Sequence, residues 1–188
     1  MTKNIKTLIG VFCLGGMMLS AGLFTSCTEN DDTVEEYANW QSKNETYWDN
    51  LYTTTQQKIK GGDTSWKIIL NYTFQNQKQT TGSALTYRPE NYIIAHVEQA
   101  GTGTTSPLYS DSVSMHYMGR LIPSTTYTSG LIFDKSWSSN QFNAATSRPV
   151  HSYIGLTYDA KGKPTSLVDG FTTALMSMHR GDHWTVYI

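Results

Sequence analysis

The chain of 188 residues has only two cysteines, Cys13 and Cys27, and none beyond position 27. The body of the protein is therefore closed to disulfides and to thiolate-held metal. Net charge is small as well: fourteen Lys and Arg stand against fifteen Asp and Glu, a formal balance of −1. With no basic run interleaved with aromatics, this argues against nucleic acid as a partner. Beyond residue 23 no segment approaches the ~20 apolar residues that span a bilayer. His151, His179 and His183 lack ligand spacing with carboxylates or thiolates, which argues against zinc. Internal repeats are absent too.

What is present is aromatic and apolar: 38% hydrophobic and 12% aromatic residues are enough for the core of one small domain. The amino terminus has the layout of an export signal. Lys3 and Lys6 form a short basic region, followed by an apolar run over 8–23. Leu23-Phe24-Thr25-Ser26-Cys27 resembles a bacterial lipoprotein box, which implies cleavage after residue 26 and acylation of Cys27. Sixteen apolar residues would alternatively make a marginal membrane anchor. Cleavage would remove Lys3 and Lys6, leaving twelve basic side chains against fifteen acidic ones. Residues 27–33, with Glu29, Asp31 and Asp32, then form an acidic, solvated tether. The expected location is the bacterial cell envelope, lipid-anchored at the outer membrane, with the periplasmic or surface face left open.

Over 34–59, Tyr37, Trp40, Tyr47, Trp48, Leu51, Thr55 and Ile59 recur mostly every three or four residues, which predicts an amphipathic helix docking on the domain or on a second subunit. Gly61-Gly62-Asp63 ends it. Runs at 66–70 and 92–97, rich in β-branched and aromatic residues, predict strands around a loose polar loop. Residues 112–118 alternate as a half-buried strand does, and 149–155 forms another. Phe171, Leu175 and Met178 predict a helix over 168–179 closed by Gly181, and 183–188 predicts a last strand. His116 should face away from Tyr117 on its strand.

The order of these elements resembles the FK506-binding-protein type of peptidyl-prolyl cis-trans isomerase. Val113 to Tyr117 with Gly119 and Leu121 is similar to the family's V-x-V-H-Y-x-G-x-L strand, and Phe133-Asp134-Lys135-Ser136 to its F-D-S-S corner. Residues 149–155 are similar to its P-F-x-F-x-L-G strand, 167–181 to its V-I-x-G-W helix, and 92–103 to its first strand and E-x-G-x-G loop. The resemblance covers 90–188 and leaves 34–89 as a helical spacer with an accessory strand. It implies an α+β fold, an antiparallel sheet wrapped on one short helix and preceded by the amphipathic helix.

It also implies a site. Tyr117 and Phe133 would wall an aromatic pocket, with the Tyr117 hydroxyl available to a substrate carbonyl. Asp134 would polarise its edge, Val168 would add a wall and a backbone donor, and Phe171 would form the floor. Val150, Tyr153 and Leu167 would add substrate contacts. The implied activity is rotation about X-Pro bonds in exported polypeptide clients, with no cofactor. Phe171 stands where the family most often has tryptophan, and Val150 where it has phenylalanine. An insertion at 122–129 lengthens one turn. The family's final strand, central in its sheet, has no counterpart before Ile188, so a carboxyl-terminally truncated form is expected, with two inner edges unpaired. Two other readings stay open: a non-catalytic chaperone or peptide-binding lipoprotein of the same fold, and a glycan-binding surface lipoprotein that uses the tryptophans and tyrosines outside the domain.

Overall fold

The computed structural model describes residues 35–77 and 84–188. Glu36–Ile188 form one compact unit. The signal-like run, Cys27 and the acidic tether lie outside the described residues.

Among the described residues the fold is α+β, with one long helix and several small antiparallel sheets. Helix α1 spans Trp40–Lys60, starting six residues later than the periodicity suggests. Residues 36–39 form a turn instead, and Asn39, in the left-handed region at φ 54°, caps the helix. Asparagine is among the few residues that adopt that conformation readily. Lys58 and Lys60 sit in the last turn, where the helix dipole favours positive charge. Gly62 at φ +91° then turns the chain out of the helix.

Three strands make the main sheet in the order β1 (Trp66–Leu70), β2 (Tyr92–Gln99), β9 (His183–Tyr187), all antiparallel. Its two faces follow from the register. Trp66, Ile68, Ile94, His96 and Tyr187 share one side. There Tyr47 of α1 meets Tyr187, Tyr52 meets Tyr92, and the Lys58 ammonium lies 3.8 Å from the Trp66 ring centre. On the other side Ile93 and Ile188 approach Gly170 of helix α3 (Asp169–Ser177) so closely that a Cβ there would meet them at 2.7–3.1 Å. The sheet is thus held between α1 and α3. Ile93, Ile94, Ala95 and Ala174 form the dry centre of this sandwich. Burial of each isoleucine contributes on the order of 1.5–3 kcal/mol.

Shorter pairs complete the chain. Strand β3 (Ser112–Met115) pairs with β6 (Val150–Tyr153), β4 (Met118–Arg120) with β5 (Ile132–Lys135), and β7 (Thr157–Tyr158) with β8 (Pro164–Thr165). The strand expected over 112–118 is therefore two strands, interrupted at His116 and Tyr117. A four-residue helix α2 (Tyr72–Gln75) and a 3-10 turn at Pro89–Asn91 lie within the stretch read as a loose loop.

Candidate functional site

Tyr117 occupies the break between β3 and β4 because its backbone bonds to the corner after β5 instead of to a strand. Its N–H donates to the Ser136 hydroxyl at 3.0 Å, and its carbonyl accepts from the Ser136 N–H at 2.9 Å. This two-point clamp sets the direction of the side chain. The Tyr117 hydroxyl donates to Asp134 Oδ2 at 2.7 Å, and its ring meets the Phe171 ring edge-on, centroids 5.9 Å apart at 61°. Such T-shaped pairs contribute about 0.5–1.5 kcal/mol beyond their burial. The bond to Asp134, then partial burial and the Asp134 charge, push the Tyr117 phenol above its usual pKa of 10. The hydroxyl is accordingly neutral at physiological pH, with its single proton committed to the carboxylate.

Phe133 is placed by a bulge. In the β4–β5 ladder Gly119 pairs with Asp134 and Arg120 with Ile132, so Phe133 has no partner of its own. Its ring covers Gly119, where a Cβ would come within 2.4 Å of the ring carbons. Only glycine at position 119 leaves room for that packing. The remainder of the ring faces outward, with Phe133 64% exposed. Asp134, next along β5, also holds the Lys135 N–H at 2.8 Å through Oδ1.

Helix α3 supplies the third side. Val168 is its N-cap and is 63% exposed, and its carbonyl accepts from Phe171 N–H at 2.9 Å and Thr172 N–H at 3.0 Å. Among the described residues the Val168 N–H donates to no backbone carbonyl outside the helices and strands. Phe171 is half-buried in the first turn, while Thr172, Thr173, Ala174 and Leu175 fill the interior behind it.

The structure thus brings Tyr117 into contact with Asp134 through its hydroxyl and with Phe171 through its ring, while Phe133 precedes Asp134 on β5 and, among the described residues, makes no ring contact with either aromatic. The other three positions are more dispersed. Val150 and Tyr153 stand at opposite ends of β6, paired with Met115 and Ser112, and Leu167 immediately precedes Val168. No hydrogen bond or ring contact among the described residues joins these three to the aromatic group. His116 packs edge-on against Phe142 at 4.8 Å, with its Nδ1 3.4 Å from the Ser136 hydroxyl, and Phe142 also meets Trp137. An open depression lined by Asn140, Gln141, Phe142 and Asn143 contains none of the candidate residues.

Two residues matter to this geometry beyond those singled out from sequence: Ser136, which clamps Tyr117, and Gly119, which seats Phe133. Both lie inside the motifs that carry the resemblance, but only the tertiary contacts give them a task. No group of three or more His, Cys, Asp or Glu side chains poised to hold a metal occurs among the described residues. Comparison of the chain with protein-family models, with curated proteins and with solved structures found no match.

Proposed function

We propose that the protein is a peptidyl-prolyl cis-trans isomerase of the FK506-binding-protein type, binding X-Pro segments non-covalently between Tyr117, Phe133, Val168 and Phe171. The observation that carries this reading is the edge-on pair of Tyr117 and Phe171 with one carboxylate, Asp134, at its side. Apolar ring faces with a single oriented polar group suit an uncharged, flat-sided ligand such as a proline ring. The finer fold reading has support of its own: among the described residues β9 and β3 are each paired along one edge only, and α3 packs on one face of the main sheet.

The chemistry asked of such a site is modest. The X-Pro bond resists rotation with a barrier of ~18–20 kcal/mol, which arises from amide resonance. Transfer of the amide from water to aromatic surfaces disfavours its charge-separated, planar form. A donor that meets a neighbouring carbonyl better in the twisted state adds to the effect. The Val168 N–H is suited to that role. The Tyr117 hydroxyl can share it only by leaving Asp134, so Asp134 holds the phenol oriented until a client carbonyl competes.

A second reading, peptide holding without acceleration, is favoured by the exposure of Phe133 and Val168, which leaves the amide partly in water. Both are tested by adding the protein to an X-Pro peptide and following cis-trans exchange and binding together. Faster exchange supports the isomerase. Binding without faster exchange supports the chaperone, and neither effect would sink both.

We further propose that the protein is tethered to a bacterial envelope membrane through an acylated Cys27. The basic start, the apolar run over 8–23 and the box ending at Cys27 support it. No described helix is long and apolar enough to cross a membrane.

A further inference from the structure

The first turn of α3 is gripped by a segment far from it in sequence. Thr73, on the four-residue helix α2, donates its hydroxyl to Asp169 Oδ2 at 2.6 Å and its N–H to Oδ1 at 3.3 Å. One residue earlier, the Tyr72 N–H donates to the Thr173 hydroxyl at 2.8 Å, and that hydroxyl passes its own proton to the Asp169 carbonyl at 2.7 Å. Two consecutive residues of α2 thereby hold both oxygens of one carboxylate and a hydroxyl one turn further on. Hydrogen bonds to an ionised acceptor are the stronger kind, and two from one residue fix orientation as well as distance.

The grip extends past the helix. The Tyr72 ring stacks on Tyr109 with centroids 4.8 Å apart at 11°, and the Tyr109 hydroxyl accepts the Leu156 N–H at 3.2 Å. Helix α2 therefore ties α3 to the 155–156 segment. Asp169 itself lies directly after Val168 and two residues before Phe171. A rotation of this turn would move the Val168 N–H and the Phe171 ring together, and with them the contact to Tyr117.

We propose that Thr73 and Asp169 are positioning residues for the aromatic site, so that the segment before residue 90 sets the geometry of residues after it. The activity readout rests on the isomerase reading; the geometric readout does not. The test uses the full chain with Thr73→Val, Thr73→Ser and Asp169→Asn, well below the unfolding temperature of each. Thr73→Val is expected to lower kcat/KM on an X-Pro peptide about tenfold, with kcat falling more than KM rises. Thr73→Ser, which keeps the hydroxyl, should return to within about twofold of the parent, and Asp169→Asn should follow Thr73→Val. In parallel, NMR signals of the Val168 amide and the Phe171 ring should shift in Thr73→Val and not in Thr73→Ser.

An active parent with Thr73→Val equal to it would overturn the positioning role, as would unchanged Val168 and Phe171 signals. Lowered thermal stability with unchanged kcat/KM would reduce the clasp to a structural prop and also overturn it. An inactive parent would count against the isomerase reading alone, and the NMR shifts would still decide the clasp.

Discussion

Tyr117 has three separately held parts, its ring, its backbone and its hydroxyl. The ring packs on Phe171, the backbone is clamped by Ser136, and the hydroxyl is held by Asp134. Tyr117→Phe should keep the first two and lose the third, lowering stability by about 1 kcal/mol in urea unfolding. A loss above about 3 kcal/mol would show that the ring position, and not the hydroxyl bond alone, depends on Asp134. Because the Tyr117 pKa is raised, this bond contributes in full below the phenol's ordinary pKa and is lost as pH rises through the higher folded value. Glu36 behaves in the opposite sense. Its carboxylate accepts the Ser124 hydroxyl and the Thr126 hydroxyl and N–H, which brings its pKa from the ordinary 4.5 down to about 2. That contact is complete above pH 4.5 and lost as pH falls towards 2. The Thr126 amide, followed by NMR, should therefore titrate with a midpoint near 2. A midpoint near 4.5 would show that Glu36 is free of the loop in solution.

At the scale of elements, the residue pattern located the regular pieces where local preference and burial agree. The run Trp66-Lys67-Ile68-Ile69-Leu70 is β1 to the residue, and the helix expected over 168–179 is found at Asp169–Ser177. Patterning did not foresee the interruption at Tyr117, because the partner that captures its backbone, Ser136, lies nineteen residues away. Helix α2 escaped for a different reason: four residues make one turn, too few for a 3.6-residue period to be visible. Hairpin β7–β8 has strands of only two residues each, too short for a period-two alternation to show. The Gly101 and Gly103 loop was legible as a break, but its partner was not. Gly101 donates its N–H to Asp182 Oδ1 at 2.6 Å, and a Cβ there would lie 2.2–2.6 Å from the backbone of Arg180, Gly181 and Asp182. Backbone cannot move aside as a side-chain end can. Gly101→Ala should therefore cost about 2 kcal/mol or more in chemical denaturation, whereas a change below about 0.5 kcal/mol would mean that the two loops are not zipped together.

For the whole molecule, the aromatic site draws on residues spread from Tyr117 to Phe171, with α2 bracing the helix that carries Phe171. Sequence motifs named Tyr117, Phe133, Asp134, Val168 and Phe171, and of these Tyr117 touches both Asp134 and Phe171. Val150, Tyr153 and Leu167 were placed by motif alignment alone, and whether a side chain faces a site depends on register and bulges that alignment does not carry. The proposed envelope tether belongs to this scale too. Cys27→Ser should shift the protein from the membrane to the soluble fraction and abolish incorporation of a labelled fatty acid, while unchanged labelling would place the acyl chain elsewhere. The most direct measurement of the proposed activity is NMR exchange spectroscopy on a short X-Pro peptide, with catalytic amounts of the full chain and of its Phe171→Ala variant. The expected result is faster cis-trans exchange with the parent protein and at least about tenfold less acceleration with Phe171→Ala. Exchange at the uncatalysed rate with both proteins, or equal acceleration by both, would contradict the assignment of catalysis to this aromatic site.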